Sequence, residues 1–338
     1  MSTIITPLAY LIALALLLLI GMALLAPFES LGWWAGWTKR DLQPSIQLEE
    51  LNPEVNPAAI YIVYLTAIGG ISANLSSREQ RFLDRLEAAY PEKVVIIDDV
   101  FPFSATNNPL NGERPLAWLW QRLHNSRLGG KASIFATLIF ARNLFQVAVS
   151  GDPRYGPIYN FGVARELIRS LIHHGYPPNS GIPIAVMGWS GGAQIAVGVA
   201  PYLHQALGAP IKIVSIGGVI SDDPGLDQVE HLYHIQSTID QYPRISELLY
   251  PGRWRIMRHS HWYRAENGGR ISVINPGPMR HTGKGDYLDR NTLLANGQSN
   301  LDRTVEVIVA ALEQTPIPEL TADYTPPASS PEAKQSQT

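Results

Sequence analysis

The sequence contains no cysteine. The chain therefore forms no disulfide bond, no thiolate metal site and no cysteine nucleophile. Charged residues make up only 16% of the chain, and its 26 basic and 29 acidic residues give a net charge of -3 without any long basic run. Because nucleic-acid binding requires a concentrated positive surface, we expect no nucleic-acid partner.

Signatures of metal and cofactor binding are also missing. The sequence has no zinc-type His-Glu-x-x-His, no phosphate-binding Gly-x-x-x-x-Gly-Lys and no Gly-x-Gly-x-x-Gly after a strand. We therefore expect neither a metal nor a cofactor.

The N-terminus is a long apolar segment. Residues 1–28 carry no charged side chain, and residues 8–25 are almost continuously apolar, which is close to the roughly 20 helical residues that span a bilayer. Three tryptophans follow at an interfacial position: Trp33, Trp34 and Trp37. We predict that residues 1–40 form an uncleaved membrane anchor, with a cleaved signal peptide as the alternative. Because Lys39 and Arg40 follow the span and no basic residue precedes it, the rest of the chain is predicted to be cytoplasmic.

The remaining sequence alternates apolar strands with amphipathic helices. This order predicts an α/β domain at residues 59–314, with a mostly parallel sheet of six or seven strands and helices on both faces. A polar connector at 41–58 precedes the domain, and a disordered tail at 315–338 follows it. The predicted strands are 60–65, 94–98, 182–187, 211–216, 232–236 and 271–274, and the predicted helices are 77–90, 114–123, 160–174, 193–207 and 300–314. Ser77 and Gln80 are predicted to form the capping box of the first helix.

One short motif lies where a strand turns into a helix. Residues 188–192 read Gly-Trp-Ser-Gly-Gly, between an apolar run and a stretch with helical periodicity. Glycines on both sides relieve steric conflict in a sharp turn, and the free amides of the helix N-terminus favour negative charge. This context predicts that Ser190 is a nucleophile, although a plain glycine-rich turn would also fit the pattern.

The chain from 58 to 314 resembles the α/β-hydrolase superfamily, which has Gly-x-Ser-x-Gly at this turn and a triad in the chain order serine, acid, histidine. The resemblance implies that the base is His281, in a Pro- and Gly-rich loop after the last strand, with His231, His234, His259 and His261 as rivals. It implies that the acid is Asp240, after the fifth predicted strand. Asp222 and Asp223 are the alternatives, and either group of acids could instead cap a helix.

The resemblance also implies an oxyanion hole. Its backbone donors would be the amide of Gly191 and that of Ala67 or Ile68 in the loop after the first strand. This loop lacks the His-Gly pair that is common in the superfamily.

An apolar segment at 132–150 interrupts the strand–helix order. Arg142 and Asn143 lie near its centre, which makes a second membrane span too costly. We predict a lid over the substrate cleft or a helix on the membrane surface. An ordinary core helix is the alternative.

These features together predict a membrane-anchored serine hydrolase that cleaves an ester or thioester through an acyl-enzyme. A membrane tether favours a lipid-like ester, although a soluble small-molecule ester fits the sequence too. The alternative function is a catalytically inactive binding or assembly module at the membrane. No oligomeric state is predicted.

Overall fold

The computed structural model describes residues 58–110 and 134–318, together with isolated positions 17, 21, 112, 118 and 121. The predicted membrane span, the connector, most of the helix predicted at 114–123 and most of the predicted tail lie outside the described residues. Within the described residues, no helix has both the length and the apolar character that crossing a bilayer requires.

Six strands form one parallel sheet in the order β2-β1-β3-β4-β5-β6. The central strands are buried along their whole length, as expected for a parallel sheet that is covered on both faces. The strands are β1 (Ile60–Leu65), β2 (Val94–Ile97), β3 (Ile184–Trp189), β4 (Ile211–Ile216), β5 (His231–Ile235) and β6 (Ile271–Ile274).

Seven α-helices connect or cover the strands of the described region. They are α1 (Ser77–Ala89), α2 (Ile134–Ser150), α3 (Gly156–His173), α4 (Gly191–Leu207), α5 (Tyr242–Leu249), α6 (His261–Asn267) and α7 (Asn300–Leu312). The described region also contains two short 3-10 helices, at Pro224–Asp227 and Pro251–Arg253.

The core has two layers because side chains of a strand alternate between the faces of the sheet. Tyr61 and Val63 of β1 face the layer that α2, α3, α4 and α6 cover. Ile62 and Tyr64 face the opposite layer, which α1 and α7 cover. The prediction of an α/β fold with helices on both faces of a parallel sheet is thus confirmed, with six strands in the described residues.

The predicted capping box of the first helix is wrong by one residue. The N-cap is Ser76, whose side chain accepts from the amide of Glu79 while the Glu79 carboxylate accepts from the amide of Ser76. Burial of Glu79 explains the choice, since its other carboxylate oxygen accepts from the hydroxyls of Tyr64 (3.1 Å) and Thr66 (2.5 Å). Gln80, the predicted partner, instead bonds Asp84 on the exposed side of the helix.

Candidate active site

Ser190 lies at the junction of β3 and α4, in a conformation that few residues with a side chain adopt. Its φ of 55° and ψ of -118° store strain. The two flanking glycines are needed for space: a Cβ at Gly188 would lie 2.4 Å from the backbone nitrogen of Ala193, and one at Gly192 would lie 2.6 Å from the Leu65 carbonyl oxygen. The strained turn projects the hydroxyl from the carboxyl end of the sheet, at the N-terminus of α4.

The predicted base and acid reach this hydroxyl in series. Ser190 Oγ lies 2.8 Å from His281 Nε2, and His281 Nδ1 lies 2.9 Å from Asp240 Oδ2. With the proton on Nδ1, the imidazole donates to the carboxylate and accepts from the serine hydroxyl. Residues from three separate loops are thus brought within hydrogen-bond distance, in the geometry that general-base activation of a serine requires.

Asp240 has further donors that hold its carboxylate in place. Oδ2 accepts from the Tyr287 hydroxyl at 2.9 Å, and Oδ1 accepts from the amide of Tyr242 at 2.9 Å. The Tyr287 oxygen in turn accepts from the amide of Ser237 at 3.0 Å. Burial, reinforced by the charge of Asp240, raises the pKa of Tyr287 well above its usual value, so that this hydroxyl remains a donor. Asp240 thus bonds the first amide of α5 and contacts His281 as well, but the N-cap residue of this helix is Gln241.

The ring of Tyr242 stacks on the imidazole of His281. The ring centroids are 4.1 Å apart and the planes differ by 20°. Ser190 and His281 are each 7% exposed, whereas Tyr242 is 51% exposed. Tyr242 therefore separates the imidazole from solvent at the outer edge of the site.

The predicted oxyanion donors lie on two backbone segments that meet beside Ser190. Gly191 is the first residue of α4, and a Cβ there would lie 2.5 Å from a methyl group of Ile68. Within the described ranges, the amides of Gly191, Ala67 and Ile68 donate to no acceptor. The loop is held by Asn143 of α2, whose side-chain amide donates to the carbonyls of Ile68 and Gly70, at 2.8 Å each.

Neither rival acid lies beside the imidazole of His281. Asp223 caps the 3-10 helix through the amide of Gly225 and accepts from Gln194 at 2.8 Å. Burial raises the pKa of Asp223 to about 6. Asp222 accepts from the amide of Trp262 at 2.7 Å, in the first turn of α6. Asp223 therefore caps the 3-10 helix that begins at Pro224, as the alternative interpretation proposed, whereas Asp222 bonds the start of a helix 40 residues further along the chain.

The rival histidines have other partners. His234 bonds Ser215 Oγ at 2.9 Å inside the core, and His231 bonds Ser272 Oγ at 2.8 Å. His261 pairs with Asp227 at 2.7 Å, and His259 is exposed. None of these contacts involves Ser190.

Three residues of the site were not identified from the sequence: Tyr242, Tyr287 and Asn143. Tyr242 and Tyr287 each follow a predicted site residue closely, but no spacing rule marks them. In the sequence, Asn143 is distinguished only as a polar residue within an apolar segment. Its burial is the physical signal, because a fully buried amide requires partners.

The predicted segment at 132–150 forms α2, which the structure describes from Ile134. Arg142, Asn143 and Gln146 are buried, while Leu144 and Phe145 are exposed. One face of α2 therefore packs on the domain and the other faces outward. Its action as a lid or as a membrane contact stays a prediction.

The described residues contain no group of three or more histidine and acidic side chains that could hold a metal ion.

No protein-family model and no curated protein matches this sequence. Among solved structures, the crystal structure of esterase PE8 is similar, with 16% identity over 76% of this chain and 93% of that chain. The TM-score of 0.36 is too low for that likeness to support any statement about activity.

Proposed function

We propose that this chain is a serine hydrolase that cleaves an ester or thioester through an acyl-enzyme. The observation that carries the proposal is the hydrogen-bonded series from Ser190 through His281 to Asp240 at a strained strand-to-helix turn. A structural serine requires neither the strain nor a buried imidazole–carboxylate pair behind it.

In the first half of the reaction, Ser190 Oγ attacks the acyl carbonyl while its proton passes to His281 Nε2. The imidazolium that forms is stabilised by Asp240, which accepts the Nδ1 proton in a hydrogen bond without taking it. Tyr287 and the Tyr242 amide fix the carboxylate, so the imidazole keeps its tautomer. The Gly191 amide and that of Ala67 or Ile68 would donate to the oxyanion.

Collapse of the tetrahedral intermediate breaks the bond to the alcohol or thiol, which leaves with the proton from His281. Water then attacks the acyl-enzyme, giving up a proton to the same nitrogen, and the second collapse releases the acid and restores the Ser190 hydroxyl. The cycle uses protein groups alone, so the proposal names no cofactor.

The proposal includes a membrane anchor at residues 1–40 with the catalytic domain on the cytoplasmic side, and a lipid-like ester as substrate. Its support is the uncharged apolar segment followed by three tryptophans. Alkaline carbonate extraction of membranes tests the anchor: the full chain should stay in the membrane fraction, and release into the supernatant would contradict it.

A fluorophosphonate probe tests the nucleophile, because it labels only activated serines. Wild-type protein should be labelled, Ser190→Ala should not, and His281→Gln should react at least about 100-fold more slowly. Ser215→Ala is the matched control, because Ser215 is also a buried serine bonded to a histidine ring, but no carboxylate bonds the other nitrogen of that ring, His234 Nε2, in the described residues.

Labelling that persists in Ser190→Ala would exclude Ser190 as the nucleophile. A folded wild-type protein that resists the probe would favour the inactive binding module. Turnover of short-chain and long-chain acyl esters and of a thioester then separates the substrate classes.

A further inference from the structure

The segment between β5 and α6 exposes an unusual concentration of apolar side chains. Half of the large apolar residues that are exposed in the described regions fall within residues 239–257. Ile256 is 81% exposed and Leu248 is 75% exposed. The others in this stretch are Ile239, Tyr242, Ile245, Leu249, Trp254 and Met257. Single exposed apolar residues are common, but such a run indicates an interaction surface. Residues 239–258 are called the docking segment here.

Hydrogen bonds hold the backbone of the docking segment in a conformation that leaves its apolar side chains exposed. The amide of Trp254 donates to the Pro251 carbonyl at 2.9 Å, and the amide of Met257 donates to the Trp254 carbonyl at 2.8 Å. Buried Arg253 anchors the turn by donating to the Ile220 carbonyl at 3.0 Å. Apolar side chains on an ordered turn cannot collapse onto the core, so they remain available to a partner.

Three exposed arginines lie among these apolar side chains: Arg244, Arg255 and Arg258. In the part of the chain that the structure describes, none of them is within ion-pair distance of a carboxylate. Glu247 is the one exposed acid of the docking segment. Arginine, tryptophan and aliphatic side chains mixed on one surface match the boundary between lipid headgroups and acyl chains.

We propose that the docking segment binds the surface of an anionic lipid bilayer, with the arginines on headgroup phosphates and Trp254, Ile256 and Met257 inserted below them. A second copy of this chain is a poorer occupant, because a twofold contact would place arginines against arginines. The chain's own apolar N-terminus is poorer too, since residues 1–28 carry no acid for the arginines to pair with.

The connector is long enough for this orientation. β1 begins at the amino end of the parallel strands, whereas the docking segment follows the carboxyl end of β5. A chain of the connector's length, residues 41–58, reaches roughly 60 Å at about 3.3 Å per residue. An anchored domain can therefore turn the carboxyl edge of its sheet toward the bilayer.

Docking would place the candidate active site at the lipid surface. Tyr242 belongs to the docking segment and stacks on His281, and Ile239 directly precedes Asp240. An amphiphilic ester could then reach Ser190 with its acyl chain still in the bilayer. This last step rests on the proposed hydrolase function, whereas the docking itself does not.

The test uses the absence of cysteine from the chain. Ile256→Cys, in the full-length protein, is labelled with an environment-sensitive fluorophore and reconstituted in phosphatidylcholine vesicles with or without phosphatidylglycerol. A quencher attached to the lipid acyl chains reports insertion. Ser180→Cys is the matched control, because Ser180 is exposed in the turn before β3, at the amino end of the strands and away from the docking segment.

We expect lipid quenching at position 256 to be several-fold greater with phosphatidylglycerol, and to be absent at position 180. Arg255→Gln combined with Arg258→Gln should remove most of the difference between the two lipid compositions. Equal water accessibility at both positions, or equal quenching in both lipids, would overturn the proposal. Protection at 256 that depends on protein concentration without lipid would overturn it in favour of a second copy. Fluorophosphonate labelling of the same vesicles reports the hydrolase function separately.

Discussion

The hydroxyl of Tyr287 connects the candidate acid to a second loop. It donates to Asp240 Oδ2 and accepts from the amide of Ser237, and the side chain is fully buried. A positioning residue of this kind acts through the carboxylate and contacts no substrate. Its removal should therefore affect turnover more than substrate binding.

Tyr287→Phe is expected to lower kcat several-fold with little change in KM, because Asp240 then holds the imidazole less firmly. It also leaves the buried Ser237 amide without its acceptor, which should cost about 1–3 kcal/mol in the free energy of unfolding. Steady-state kinetics on an ester and urea unfolding measure the two effects.

Tyr176→Phe is the matched control, since Tyr176 is equally buried and its hydroxyl donates to the Ile182 carbonyl at 2.9 Å, away from the site. This variant should lose stability and keep kcat. If the two variants change kcat equally, Tyr287 has only a structural role.

At the scale of elements, helix α2 holds the loop that carries a proposed oxyanion donor. The helix contributes one buried amide to this contact, that of Asn143, which bridges the carbonyls of Ile68 and Gly70. A backbone donor on a loop is held in position only when contacts restrain that loop.

Asn143→Ala should reduce kcat by about 10-fold or more, since a displaced oxyanion donor typically costs about 10²–10³ when it is lost entirely. The rate of fluorophosphonate labelling should fall with it, because the tetrahedral adduct uses the same donors. Leu144→Ala, on the exposed side of the same helix, should leave both rates unchanged. An Asn143→Ala protein that is folded and fully active would show that α2 does not restrain the donor.

The elements that the sequence predicted well are those set by local pattern. Apolar runs bounded by turn residues located all six strands, and the predicted strand 271–274 matches β6. Helix starts were less accurate: α3 begins at Gly156 instead of 160, because Pro157 suits a first helical turn.

The residues of the candidate site fall into the same two groups: those that a local pattern marks and those that it does not. Ser190 had a local signature, and the resemblance that rests on this motif and on the order of elements implied His281 and Asp240. The contacts of Asn143 and Tyr287 could not be predicted, because they join residues 75 and 47 positions away through packing that no short pattern records. Asp222 and Asp223 could not be separated from Asp240 by sequence either, since all three acids follow strands and each accepts from a backbone amide at the start of a helix or turn.

At the scale of the whole molecule, two buried ionisable groups have opposite effects on the free energy of unfolding as pH falls. Burial raises the pKa of Asp223 from 3.8 to about 6, so this group favours the folded state on acidification between those values. Burial, with a contribution from the charge of Arg253, lowers the pKa of His234 from 6.5 to about 3. His234 is neutral in the folded state and bonded to Ser215, so its stabilising effect is complete above pH 6.5 and is lost progressively as pH falls toward 3.

The His234 effect should be the larger one. A shift from 6.5 to about 3 corresponds to on the order of 5 kcal/mol at about 1.4 kcal/mol per pKa unit, whereas the Asp223 shift is smaller. Between pH 6 and pH 4 the two effects nearly cancel, so these two groups should leave the urea midpoint of the wild-type chain, measured in one detergent, almost unchanged over that range. His234→Asn removes the titrating ring but keeps a side chain that can bond Ser215. It should be less stable at pH 7, and its urea midpoint should rise relative to the wild type as pH falls from 6 to 4, because the Asp223 effect is then unopposed. His259→Asn, at an exposed position, should follow the wild-type slope, and parallel slopes for wild type and His234→Asn would mean that other groups control acid unfolding.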